Sequence, residues 1–179
     1  QPAQPDEEQP VSARLEDNLF IMAEINKSTV YENEPIKVDY KLFSRYDILN
    51  LSFTGEPAFN GFWKEDIFTA NAIRFNREIY QGVQYKTMLI RSVALFPTTT
   101  GKLEIPALEM LVDIRVQPTS FFDFNSTRRY TISSKVRNIN VRELPLNGRP
   151  ESFTGAVGSY TLVSNVSAAN LKVGDSFTY

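Results

Sequence analysis

The chain has 179 residues, room for one domain with a full core plus a further piece, and its 42% hydrophobic and 12% aromatic shares are those of an ordinary globular protein. A formal net charge of −2 gives no general attraction to nucleic acid or to an anionic membrane surface. There is no His and no Cys, which removes the usual neutral-pH base, the commonest transition-metal ligand, thiol nucleophiles, iron–sulfur and structural zinc sites, and disulfides.

Cysteine usage leaves the compartment open, because a Cys-free chain fits either the cytosol or an envelope domain with a core large enough to need no staple. No apolar run reaches the roughly 18 residues of a membrane helix, and neither an initiator Met nor a signal peptide is present. The expectation is an excised piece of a longer protein.

Residues 1–10 (QPAQPDEEQP) hold three Pro, three Gln and three acids, with Ala3 the only aliphatic side chain. Such a stretch cannot bury enough apolar surface to offset its ordering entropy, so residues 1–14 are expected as an interdomain linker. From Leu19 the period becomes that of strands. Leu19, Ile21, Ala23 and Ile25 alternate with Phe20, Met22 and Glu24. After a turn at Glu32-Asn33-Glu34-Pro35, Ile36, Val38, Tyr40 and Leu42 alternate with Lys37, Asp39 and Lys41; Leu49, Leu51 and Phe53 form a third run.

Ala72–Tyr80 and Val83–Phe96 flank a hairpin turn at Gln81-Gly82. Gln84–Phe96 is apolar or small on both faces, as a central strand would be. A turn at Thr98-Thr99-Thr100-Gly101 leads into one strand, Lys102–Val116, carrying Pro106. In it Leu108, Met110, Val112, Ile114 and Val116 face a core, with Glu109, Asp113 and Arg115 between them. Val136–Val141 is the last strand. Helix signals are poor. About seven or eight short strands at this spacing predict an all-β fold, an immunoglobulin-like antiparallel β-sandwich over residues 15–147.

Leu144-Pro145-Leu146-Asn147-Gly148-Arg149-Pro150 reads as a hinge. Beyond it, Leu162–Tyr179 aligns with Ile21–Val38 at an offset of 141, placing Gly174-Asp175 on Asn33-Glu34 and Leu171 on Val30. Residues 148–179 are therefore expected to be the hinge and the truncated first strands of a second β domain.

Candidate chemistry is sparse. Glu65 and Asp66 are adjacent acids beside Trp63, but neighbours in a strand-rich chain point to opposite sides, and a solvated connection is the simpler reading. No D-x-D-x-D-G loop supports calcium at Asp47, Asp123 or Asn125. The sequence thus nominates no catalytic residue, no metal and no cofactor. Arg128, Arg129, Lys135, Arg137 and Arg142 read as solvated faces of strands and turns. Four glycosylation sequons occur, at Asn26, Asn50, Asn125 and Asn165, where about two are expected by chance for this composition.

Aromatics off the alternating pattern carry the binding expectation. Trp63 is the single Trp. Either it fills the sandwich core, or Phe59, Phe62, Trp63 and Phe68 form a partly exposed patch on a connection. Phe121, Phe122 and Phe124 pose the same choice. The candidate partner-binding residues are accordingly Phe62, Trp63, Phe121, Phe122 and Phe124. A rival reading makes the chain a carbohydrate-binding or adhesive sandwich, with Trp63, Tyr80 and Tyr85 as a stacking platform.

Taken in order, Gly61-Phe62-Trp63, Arg91 with Ala94-Leu95-Phe96-Pro97, Gly101-Lys102, Ile105-Pro106, Phe121-Phe122-Asp123, Leu144-Pro145 and Phe153 with Gly155-Ala156-Val157-Gly158 resemble the BatD family, the envelope proteins of bacterial aerotolerance operons. The resemblance runs from about Leu15 to Tyr179 and departs after Asp123, where one Phe and a polar run replace a more aromatic stretch. It implies β domains in series, a periplasmic location, and an inner-membrane anchor in a segment outside this sequence. The implied companions are von Willebrand A-type and tetratricopeptide-repeat proteins, with a MoxR-type ATPase encoded nearby. It implies a scaffolding role and no catalytic residues. In a bacterial envelope protein the glycosylation sequons imply nothing.

Overall fold

A computed structural model describes residues 11–116 and 127–161, together with 163–164, 167, 170 and 172–176. A short helix, α1 (Val11–Asn18), precedes eleven strands: β1 (Leu19–Ile25), β2 (Thr29–Tyr31), β3 (Ile36–Ser44), β4 (Asp47–Phe53), β5 (Phe62–Thr69), β6 (Asn76–Tyr80), β7 (Val83–Pro97), β8 (Gly101–Ile105), β9 (Glu109–Arg115), β10 (Thr127–Ser133) and β11 (Arg137–Arg142). The expected linker of residues 1–14 is thus helical from Val11 onward.

The first layer runs β1-β3-β7-β5, with β6 pairing the start of β7 on the side that β5 takes further along. The second layer is interrupted. One sheet is β10-β9-β4 and the other β2-β11-β8. Since β8 and β9 are separated only by Pro106-Ala107-Leu108, and β10 and β11 only by Ser134-Lys135-Val136, each pair is one long strand broken at the same level. With strands lettered in order, the layers read A-B-E-D and A′-G-F-C, the immunoglobulin-like sandwich arrangement. Among the described residues every pairing is antiparallel except β2 on β11.

The break corrects the single strand expected over Lys102–Val116. Proline has no N–H for the ladder, so pairing stops at Ile105 and resumes at Glu109. A reciprocal pair of bonds bridges the gap. Leu108 N donates to Ser134 Oγ at 3.0 Å and Ser134 N donates to Leu108 O at 2.9 Å. From the opposite layer, the Tyr40 hydroxyl donates to Pro106 O at 2.8 Å. No buried side-chain nitrogen or oxygen among the described residues is left without a partner, as a well-formed interior requires.

The core lies between the layers. Ile36, Val38, Tyr40, Leu42, Val93 and Leu95 from one side meet Leu108, Met110, Val112, Ile114, Ile132 and Ile139 from the other, all buried. The two alternating registers read from β3 and β9 are those observed. In β4 the alternation fails. A bulge leaves Leu49 unpaired, so Ile48 and Leu51 pack on the core while Leu49 and Phe53 are exposed. The turn between β6 and β7 has Gln81 at φ 50° and Gly82 at φ 79°, positive at both central positions as a type I′ hairpin demands.

Past Arg142 the described residues form turns and bends. One detail connects the two ends of the chain. Tyr31 N donates to the Glu34 carboxylate at 2.9 Å and Glu34 N returns to Tyr31 O at 3.1 Å. At the offset of 141, Lys172 N donates to the Asp175 carboxylate at 2.8 Å and Asp175 N returns to Lys172 O at 3.0 Å. The residues between, Asn33 and Gly174, both take positive φ. The aligned segments share a turn as well as a sequence pattern.

Candidate functional site

The segment expected to be a connection carrying Phe62, Trp63, Glu65 and Asp66 is the edge strand β5. Directly paired residues share a face of the sheet. Phe62, Lys64 and Asp66 stand opposite Pro97, Leu95 and Val93 and so face inward; Trp63 and Glu65, opposite Phe96 and Ala94, face outward. A bulge at Ile67 then flips the register, putting Phe68 opposite Ser92 on the outer face.

Trp63 is 56% exposed, which overturns the core reading of this residue. The large buried aromatic between the sheets is Tyr40 instead. Trp63 rests on Phe96, ring centroids 5.0 Å apart and inclined by 51°. Ile67, Phe68 and Leu89 are exposed as well, with Phe68 and Leu89 on the outer face by their pairing to Ser92 and Lys41. The outer face therefore carries Trp63 on Phe96 at one place and Phe68 and Leu89 further along, with Glu65 and Ala94 between them. Phe59 and Phe62 belong elsewhere, partly buried against the core. Phe121, Phe122 and Phe124 lie outside the described residues.

The inward face of β5 holds charge rather than core. A bulge in β7 leaves Ile90 unpaired and sets Arg91 opposite Tyr40, so both neighbours are buried. The Arg91 guanidinium makes a two-pronged contact with Glu56 at 2.8 and 2.7 Å and two bonds to Asp66 at 3.2 and 2.7 Å. Lys64 Nζ bonds Glu56 at 2.9 Å and Asp66 at 2.8 Å. These bonds to Arg91 and Lys64 hold the Glu56 carboxyl at about 2 and keep Asp66 below its ordinary value. The cluster ties the loop after β4 to the edge strand. Both carboxylates are fixed in the ionised state by two cations, the reverse of the raised carboxyl that sugar hydrolysis asks of its acid.

A second aromatic group lies on the outer face of the first layer. Phe20 and Phe43, paired across β1 and β3, stack at 4.9 Å with their planes 6° apart. Tyr80 and Tyr85 pack edge-on or tilted against both. The group fills the opposite end of the outer face, anchored to α1 by the Tyr85 hydroxyl donating to Asp17 O at 2.8 Å. Alternation marks Phe20 and Phe43 as outward, but period alone cannot show that outward side chains cover one another.

This placement separates Trp63 from Tyr80 and Tyr85. Phe96, under Trp63, and Tyr85 lie eleven positions apart on β7, on the order of 35 Å of extended chain. Tyr85 is buried besides. The three do not form one stacking surface.

No group of three or more acidic side chains that could hold a metal occurs among the described residues, and no helix there is long and apolar enough to cross a membrane. No protein-family model, curated protein or solved structure matches the chain.

Proposed function

We propose that this chain is a non-catalytic structural and protein-interaction module of a BatD-like aerotolerance protein, working in the bacterial periplasm. Its anchor to the inner membrane would lie outside these residues. It scaffolds an envelope complex whose other members are von Willebrand A-type and tetratricopeptide-repeat proteins. No nucleic acid and no cofactor enter this reading.

The observation that supports binding is the exposure of Trp63, Phe68 and Leu89 on the outer face, with Ile67 exposed at the bulge beside Phe68. Large aromatics exposed together are the usual anchors of protein contacts. The free edge of β5 is a poor template for strand addition, because Lys64, Glu65, Asp66 and the bulge at Ile67 interrupt it. The partner accordingly lies across the face and leaves the edge unpaired.

The test is capture from envelope extract by the wild-type protein and by a Trp63→Ala/Phe68→Ala variant. Truncating such anchors removes about 2 kcal/mol or more of binding each. The double variant should lose the von Willebrand A-type and tetratricopeptide-repeat proteins while unfolding at the wild-type denaturant midpoint. Equal recovery would move the contact to Phe121, Phe122 and Phe124 or to another domain. Specific binding on a glycan array, lost on Trp63→Ala, would favour the carbohydrate reading instead.

A further inference from the structure

We infer that the cleft at the α1 end of the first layer, lined by Arg45, Arg77, Gln84, Tyr85 and Lys86, binds a compact phosphate-type oxyanion. The cleft has a volume of about 290 Å³, enough for a phosphate group and a small esterified substituent.

The register makes the argument. Arg77 of β6 stands directly opposite Lys86 of β7, and Lys86 opposite Ser44 of β3, with Arg45 following at the strand end. Like charges directly opposite in a sheet repel. Several other cations on the sheets have a carboxylate beside them: Lys41 has Glu78, Lys37 has Asp39, Arg129 has Asp113, and Arg91 and Lys64 share Glu56 and Asp66.

In the cleft only Lys86 has such a partner, Asp47. Arg45 donates to the neutral Asn18 Oδ1 at 2.9 Å, leaving most of its fork unused. Arg77 makes no ion pair among the described residues. Three cations against one paired carboxylate leave a local surplus of positive charge in a chain whose total is −2. Gln84 and Tyr85 complete the lining, and a concave site concentrates the field of the charges that line it. Two guanidinium forks and an ammonium match the geometry of a phosphate, which accepts paired hydrogen bonds.

The experiment follows backbone amide shifts of Arg77 and Gln84 by NMR during titration with inorganic phosphate, against chloride at matched ionic strength. A parallel arm measures cosedimentation with phosphatidylcholine vesicles with and without phosphatidylglycerol. Saturable shifts with phosphate and none with chloride are expected. Arg77→Gln should weaken the response about tenfold by removing one charge-assisted fork. Asp47→Asn frees Lys86 and should tighten it about twofold to fivefold. Lys102→Gln, on β8, should change nothing. Vesicle binding that needs phosphatidylglycerol and is lost in Arg77→Gln identifies a lipid headgroup as the source; a phosphate response without it identifies a soluble ester or free phosphate. Responses equal for chloride and phosphate, or unchanged in Arg77→Gln with both probes, would overturn the site.

Discussion

The charge cluster around Arg91 should respond asymmetrically to removal of its two signs. Arg91 is only 6% exposed, whereas the Glu56 and Asp66 side chains are 61% and 47% exposed. Desolvation therefore falls mainly on the cation. Replacing it by Met keeps the apolar stem and removes the buried charge, while both acids keep Lys64 and water; the loss should be about 1 kcal/mol or less, as for an exposed pair. The double variant Glu56→Gln/Asp66→Asn strands Arg91 beside Lys64 with no counter-charge. A stranded charge costs about 3–5 kcal/mol when wholly buried, and water reaching this rim reduces that to about 2–3 kcal/mol. With a urea slope near 2 kcal/mol per M, the two midpoints should differ by about 1 M. Circular dichroism through a urea series reads this directly. Equal midpoints, or a lower one for Arg91→Met, would refute the reasoning.

The same cluster sets an acid dependence. Glu56 is lowered from 4.5 to about 2 and Asp66 lowered from 3.8, so their stabilisation is complete above about pH 4.5 and is lost as pH falls toward 2. The double variant should lack that part of the slope, which urea midpoints between pH 5 and 2 would show. Tyr40→Phe removes the hydroxyl that serves Pro106 O and should cost about 1–2 kcal/mol, seen as a fall of roughly 3–6 °C in Tm; an unchanged Tm would mean that water replaces the bond. Met110→Ala should cost about 2–5 kcal/mol and Lys37→Ala less than about 0.5 kcal/mol, and equal costs in urea unfolding would reject the inward and outward assignment of β9 and β3.

The strands legible from alternation are those with a face in the core, β1, β3, β7, β9 and β11; β6 has no buried residue and was legible through its turn at Gln81-Gly82, and β4 was legible as a run although its alternation fails. Strand β5 was hidden because its inward side meets Arg91 in place of apolar side chains, so Lys64 and Asp66 erase the alternation. Only Ile132 of β10 is buried, and β2 is three residues long, too few for a period. The break between β8 and β9 is bridged by Ser134, distant in sequence from Pro106, so no local pattern marks it. Of the candidate binding residues, Trp63 could be named from the sequence, but its exposure could not. That depends on which face of an edge strand the opposite layer covers, and no local pattern records it.

The single parallel pairing has a mechanical consequence. Strand β2 is entered from the N-terminal side of the chain and β11 is left toward the C-terminal side, and they run alongside each other from Thr29 with Asn140 to Tyr31 with Arg142. Bonds from Asn140 N to Ser28 O and from Glu32 N to Arg142 O, 2.9 and 3.0 Å long, extend the seam at both ends. Tension between the two ends of the sandwich would slide these strands past each other along their axes. Every bond of the seam then bears load together, whereas an antiparallel hairpin pulled from its open end yields one bond at a time. A domain tethered on both sides would resist extension at this seam, and its lifetime under force would follow the rate of rupture there more than its equilibrium stability.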